Sequence, residues 1–267
     1  MSVDNASPLP PGGAGGGSAP RDALPHPASP FGGGGASGGG ANTVAGRVAA
    51  IFDVDGTLIP GTSAERIFLR ALLRGGLLGP RRAFAVTRAL AGRLSAFDPL
   101  KAMTRDRIYL SGLDAQRMRE FGRDLFSRKI MPRLSTIGLA ALREHQREGH
   151  YIVLLSGSLD FLLQPLLEYT KADLLVASSL QVDAKGRFTG HIANTHPVGR
   201  HKASLLQELV EQHKIDLTAS YAYADTAGDI HLLELVGHPV AINPRAALRK
   251  HAIEHGWEIK EFPLARP

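Results

Sequence analysis

The clearest pattern along the chain is a series of short, unbroken apolar runs, each ending in a cluster of acidic or small polar residues. Val48-Ala49-Ala50-Ile51-Phe52 stops at Asp53-Val54-Asp55-Gly56-Thr57. Tyr151-Ile152-Val153-Leu154-Leu155 stops at Ser156-Gly157-Ser158. Continuous apolar runs of this length predict strands buried on both faces, as in a parallel sheet. Further strands are predicted over 173–177, 219–224 and 239–242. Helices are predicted over 132–148, 160–169, 200–213, 230–236 and 244–255. Residues 178–192 read as a hairpin turning at Lys185-Gly186. Strand and helix alternate, which predicts an α/β fold with a doubly wound parallel sheet.

The first two strands stand too far apart for one crossover. A strand–helix–strand unit needs about 30 residues, and Phe52 and Tyr151 are separated by about three times that. An inserted, all-helical segment over 62–131 fills the difference. Pro80 suits a first helical position. The stretch 83–94 lacks a breaker until Gly92, and Met118, Phe121 and Leu125 share one helical face. Asp98 and Asp114 look like helix starts. Roughly four helices are expected there, joined by turns at Gly75-Gly76 and Ser111-Gly112. The rest of the core is then 44–61 together with 132–267.

Composition changes the picture at the amino end. Residues 1–40 hold 12 Gly and 7 Pro and almost no large apolar side chains. Such a segment cannot bury enough surface to offset its ordering entropy, so 1–43 is expected to be a disordered tail. It lacks the basic start and apolar core of a secretory leader. No apolar run reaches the length of a membrane-spanning helix, and the expectation is a soluble, cytoplasmic protein. The chain has no cysteine. That excludes disulfides, thiolate metal sites and a cysteine nucleophile.

Charge is uneven as well. The chain carries a net +6, whereas 62–131 alone holds 15 Lys+Arg against 6 Asp+Glu. A solvated, arginine-rich helix surface is the simpler reading, and attraction of an anionic substrate the alternative. Nucleic acid is not an expected partner, because only 6% of residues are aromatic and no binding motif is present.

Four polar clusters carry candidate chemistry, three of them at the carboxyl ends of predicted strands, where ligands of parallel sheets bind. In Asp53-x-Asp55, one carboxylate can attack phosphorus and the other can shuttle a proton to and from the leaving oxygen. Two carboxylates facing an anionic ester require a cation, and Mg²⁺ suits oxygen ligands and phosphate. Ser156 and the Gly157 N–H can hold a phosphate oxygen. Lys202, at a helix start, can neutralise developing charge. Asp225 can complete a metal site, and Asp229 can add a ligand or orient the lysine. Taken singly, each has an ordinary structural explanation as a turn, a cap or a surface lysine.

In their order and spacing, FDVDGTL, LLSGS, HKAS and YADTAGD resemble the four motifs of the haloacid dehalogenase-like (HAD) superfamily. The resemblance covers about residues 48 to 245. The hairpin before the lysine and the closing DIHLLELVGHPVAINP are similar to subfamily IB, the phosphoserine-phosphatase-like members. The resemblance implies a Rossmann-like core, with 62–131 as a helical cap, and Mg²⁺-dependent hydrolysis of a small phosphorylated metabolite.

It also implies roles. Asp53 would be the nucleophile that forms an aspartyl-phosphate, and Asp55 the general acid/base. Mg²⁺ would be held by the Asp53 and Asp225 carboxylates and the Asp55 main-chain carbonyl, with Asp229 close by. Thr57, Ser156 and Gly157 would contact phosphate, and Lys202 would stabilise its charge. Dehalogenating members lack an acid at the position of Asp55.

Two departures bear on substrate. Phosphoserine phosphatases commonly carry a Glu nine residues past the nucleophile, where this chain has Thr62. Glu65, one helical turn on, either substitutes for it or is a first-turn acid favoured by the helix dipole, which is the simpler reading. The fourth motif also lacks the glycine-rich form of those enzymes. The expectation is therefore a phosphatase for a small monoester. A phosphoserine phosphatase in particular, or a non-catalytic binder of a phosphorylated ligand, are the alternatives. His251 and His255, four apart, are a weaker pair of candidate metal ligands.

Overall fold

The computed structural model describes residues 46–81, 83–84 and 106–264. In chain order the strands are β1 (Ala49–Asp53), β2 (Asp55–Gly56), β3 (Ile59–Pro60), β4 (Tyr151–Leu159), β5 (Leu174–Ser178), β6 (Leu180–Val182), β7 (Phe188–Ile192), β8 (Tyr221–Ala224), β9 (His238–Ile242) and β10 (Glu258–Lys260). The α-helices are α1 (Ala64–Arg74), α2 (Ala115–Leu125), α3 (Thr136–Arg147), α4 (Asp160–Thr170), α5 (Arg200–His213), α6 (Ile230–Leu233) and α7 (Ala246–Glu254).

Six strands form one parallel sheet in the order β10-β9-β8-β1-β4-β5. The fold is thus the expected α/β, Rossmann-like one. The chain leaves β1 towards β4 and β5 and then returns to place β8 on the other side of β1. This reversal of winding opens a crevice at the carboxyl ends of β1 and β8.

Strand alternation divides the core between the two faces of the sheet. Ala50, Phe52, Ile152, Leu154 and Tyr223 join one cluster, and Ala49, Ile51, Val153, Leu155 and Ala222 the other. The first cluster continues into α1, α2 and α4 through Phe68, Leu72, Met118, Leu125 and Leu162. Phe68 meets Phe161 edge-on at 5.5 Å. Burying a side chain of that size contributes about 1.5–3 kcal/mol. The second cluster is closed by Leu206, Leu232 and Leu248 of α5, α6 and α7.

The expected hairpin is formed by β6 and β7, with Gly186 at its turn (φ +74°). β7 also bonds to the segment before α2: Gly112 N–H donates to the Phe188 carbonyl at 2.7 Å and Phe188 N–H to the Leu113 carbonyl at 2.9 Å. Gly190 is demanded twice here, by its φ of +92° and by the Ile108 Cα, which a Cβ would meet at 2.9 Å.

The structure corrects several boundaries. The helix predicted over 132–148 is two pieces. Met131–Arg133 is a 3₁₀ turn, Leu134 is extended, and α3 starts afresh because the Ser135 hydroxyl accepts from Gly138 N–H. The strand predicted from 219 starts at Tyr221, since the Asp216 carboxylate draws 217–219 into a 3₁₀ turn. The helix predicted over 230–236 ends at Leu233. β10 was not anticipated: Glu-Ile-Lys carries no apolar run, and it forms by edge pairing with β9. The expected tail over 1–43, most of the helix at 83–94 and the start at Asp98 lie outside the described residues. Among the described residues no helix is long and apolar enough to cross a membrane.

Candidate active site

Asp53 is the last residue of β1, the central strand, and is 3% exposed. Its Oδ1 pairs with Lys202 Nζ at 2.5 Å, and its Oδ2 accepts from Thr57 Oγ1 at 3.0 Å. Both oxygens are engaged, so the carboxylate is fixed in rotation. Thr57 is fully buried and serves Asp53 directly. Lys202 enters from the first turn of α5 and also pairs with Asp229 Oδ1 at 2.8 Å. Thr226 Oγ1 donates to the other Asp229 oxygen at 2.5 Å.

A second chain of bonds holds Asp55. Its Oδ1 accepts from Ala64 N–H at the start of α1 (2.8 Å), and its Oδ2 from Ser156 Oγ (2.6 Å). Ser156 accepts in turn from Ser158 N–H at 3.0 Å, and Ser158 Oγ from Glu65 N–H at 3.3 Å. The amino end of α1 and the carboxyl end of β4 thus grip the second acid from two sides. Asp53, Asp55, Gly157, Lys202, Asp225 and Asp229 all line one crevice of about 230 Å³.

The crevice is short of positive charge. Carboxylate oxygens of Asp53, Asp225 and Asp229 lie within 4.8 Å of one another. Burial first, with Asp229 adding to it, pushes Asp225 up to about 6. Burial also pushes Asp53 up to about 8 from an ordinary 3.8, with Lys202 pulling the other way and Asp229 and Asp225 adding to the rise. Burial works against the charge of Lys202, but the Asp53 and Asp229 carboxylates hold it protonated above its ordinary range.

Asp225 Oδ1 is buried with no hydrogen-bond partner. A Cβ on Gly56, whose φ is +94°, would run into the Asp225 carboxylate. An unsatisfied carboxylate oxygen, two neighbouring carboxylates and backbone kept bare of side chain make a donor set that fits Mg²⁺, a hard cation that takes oxygen ligands.

Two residues beside the crevice carried no signal in the sequence. Arg107 Nε pairs with Glu65 Oε1 at 2.7 Å, its Nη2 donates to Glu65 Oε2 at 2.7 Å and to the Gly157 carbonyl at 3.1 Å. Tyr109 OH donates to Glu65 Oε1 at 2.6 Å. Arg107 is one of many arginines in its segment, and only the fold singles it out. Glu65 is therefore more than a first-turn acid: burial raises its pKa above the ordinary value, with Arg107 and Tyr109 offsetting only part of the rise. Other basic residues among those described meet away from this crevice. Arg70, Arg74, Arg128, Lys129 and Arg133 line a cavity of about 720 Å³ that shares no residue with the Asp53 crevice. His251 and His255 stack on each other at 3.9 Å, with Trp257 edge-on to His251 at 4.8 Å.

Fold and site together place a cluster of buried acids at the carboxyl edge of a parallel sheet in an α/β fold. A haloacid dehalogenase-like hydrolase family profile matches residues 50–234. The chain belongs to that family and is an enzyme of it. It is 33% identical, over 81% of its length and 79% of the other's, to the "Inhibition of morphological differentiation protein" of Streptomyces azureus. It is 27% identical to a histidinol-phosphatase of Neisseria meningitidis, over 80% of this chain and 98% of that one. A solved structure from Bordetella pertussis, of unknown function, superposes with a TM-score of 0.71 at 25% identity, covering 82% of this chain and all of that one.

Proposed function

We propose that this phosphatase hydrolyses a small phosphate monoester through a phosphorylated Asp53, with Mg²⁺ as cofactor and Asp55 as general acid and base. The observation that supports it best is Asp53 itself, held by Lys202 and Thr57 and facing a crevice that Asp55 shares. An Asp53 oxygen attacks phosphorus and the bond from phosphorus to the ester oxygen breaks. Asp55 gives its proton to the leaving oxygen. Asp55 then takes a proton from water, whose oxygen attacks the phosphorus of the aspartyl-phosphate, and inorganic phosphate leaves with Asp53 restored.

Lys202 stabilises the charge on the phosphoryl oxygens, and the Gly157 N–H steadies them, joined by Ser156 when its hydroxyl turns its proton from Asp55 to the substrate. Asp53, Asp225 and the Asp55 main-chain carbonyl would hold the metal, with Asp229 beside them. Bound Mg²⁺ supplies positive charge for the phosphoryl group. The insertion at 62–131 would act as a cap that excludes bulk water.

The substrate reading stops short of phosphoserine. Thr62 has no charge to offer an ammonium group, and the charge of Glu65 is already balanced by Arg107, with both of its oxygens accepting from Arg107 or Tyr109. A panel of phosphoserine, sugar phosphates, glycerol phosphates and nucleotides, assayed with Mg²⁺ and with EDTA, tests the proposal. Metal-dependent release of phosphate is expected, with phosphoserine not the best substrate. Absence of turnover across the panel would favour a non-catalytic binder.

The metal assignment has its own readout. Carboxyls whose folded pKa is raised favour the fold most below about pH 4, and that contribution is lost as pH rises through the folded values. The metal-free protein should therefore melt lower at pH 8 than at pH 6, the window set by Asp225 and Asp53. Mg²⁺ removes the repulsion, so its gain in Tm should be larger at pH 8. An equal gain at both pH values would contradict the assignment.

A further inference from the structure

At the opposite, amino edge of the sheet lies a second convergence of ligating groups, which the proposed reaction does not use. α3 ends at Arg147, Glu148 caps it, and His150 leads directly into β4. The Nδ1 atoms of His145 and His150 point at each other across 2.8 Å. A Glu148 carboxylate oxygen lies 3.7 Å from the first and 3.4 Å from the second. We infer that His145, Glu148 and His150 form a binding site for a divalent transition-metal ion of the Zn²⁺ type.

Geometry carries the inference. Two ligand atoms about 2.1 Å from one ion at the tetrahedral angle lie about 3.4 Å apart; the two Glu148 separations, 3.7 and 3.4 Å, match this, and the imidazole nitrogens, at the hydrogen-bonding separation of 2.8 Å, need only part by about half an ångström to admit the ion. Two imidazole nitrogens and one carboxylate are a borderline-soft donor set, suited to zinc-like ions and not to Mg²⁺. His145 Nε2 lies 2.7 Å from Tyr223 OH, which can accept from it; in the tautomer that carries its proton there, Nδ1 is the lone-pair donor a metal needs.

His145 is buried, His150 partly so, and Glu148 reaches solvent, which leaves an entry path for an ion. Lys260, whose charge opposes a cation at this place, is paired with Glu258 at 2.9 Å. Bound metal would tie the end of α3 to the start of β4. Through Tyr223, which stacks on Phe52 at 4.4 Å, it would brace the strand that ends in Asp53.

The test uses the full chain, stripped with EDTA and returned to excess Mg²⁺ so that the aspartate cluster is filled. Co²⁺ is titrated in while the visible absorption of tetrahedral cobalt is followed, and Zn²⁺ is then added to displace it. One equivalent of saturable, Zn²⁺-displaceable absorption is expected in the wild type and in Asp225→Asn. Glu148→Gln and His150→Gln alter solvent-reaching or partly buried positions, and their melting curves check that they fold. Each should weaken Co²⁺ by more than the about tenfold that losing an outer-shell partner costs. Absence of tetrahedral absorption in the wild type would overturn the inference. So would absorption that survives both variants, or that disappears in Asp225→Asn.

Discussion

Asp53→Asn is expected to lower kcat by on the order of 10⁴-fold or more, the scale on which enzymes lose rate with their nucleophile. The substitution keeps the size and planarity of the side chain, and its remaining oxygen can still accept from Lys202. What it removes is the charge and the nucleophilic oxygen pair. Phosphate release with Mg²⁺ measures the loss, and acid-quenched wild type, but not the variant, should carry covalent phosphate. Stability separates this from unfolding. Asp53 is one of three buried carboxylates facing one ammonium, so taking its charge away should leave the melting temperature of the metal-free protein unchanged or raised. A variant that retains a tenth of wild-type kcat would show that Asp53 is not the nucleophile.

Lys202→Met should damage both activity and stability, by a different route. Met is similar in length and fills the space, but Asp53 and Asp229, at 2.5 and 2.8 Å from the lost nitrogen, are left without their counter-charge. Breaking a buried ion pair from one side typically costs about 3–5 kcal/mol, because the stranded charge stays buried. Loss of the ammonium from the phosphoryl site should lower kcat by on the order of 10²–10³-fold. The sign of the pH effect follows. Stranded carboxyls titrate higher in the folded than in the unfolded chain, so the variant should recover stability as pH falls and the carboxyls protonate. Adding Asp229→Asn should restore part of the melting temperature without restoring turnover. If the double variant is as unstable as the single one, the loss was one of packing.

Much of this architecture can be read from local pattern. The apolar runs ending at Asp53, Ser156 and Asp225 placed β1, β4 and β8, because a strand buried on both faces leaves no other pattern open to it. The helices at 160–169 and 200–213 and the turn at Gly186 followed from local chemistry too. The misses have physical causes. Ser135 splits a helix because its hydroxyl replaces a backbone partner at short range, and a polar residue inside a periodic stretch does not announce that choice. β10 exists only because β9 offers an unpaired edge. The resemblance to haloacid dehalogenase-like hydrolases added what pattern alone left open, namely which carboxylate does which work.

By itself, then, the amino-acid sequence determined the strand and helix order, the family, and the set of acids with its single lysine. All of these depend on residue type and spacing within a few positions of one another. Only the tertiary structure decided that Lys202 stands between Asp53 and Asp229, that Asp225 keeps an oxygen without a partner, and that Arg107 and Tyr109 occupy Glu65. It alone brought His145, Glu148 and His150 into ligand spacing. The reason is the same in each case. A charge's effect depends on distance and burial, and residues 149 apart in the chain can lie 2.5 Å apart in space.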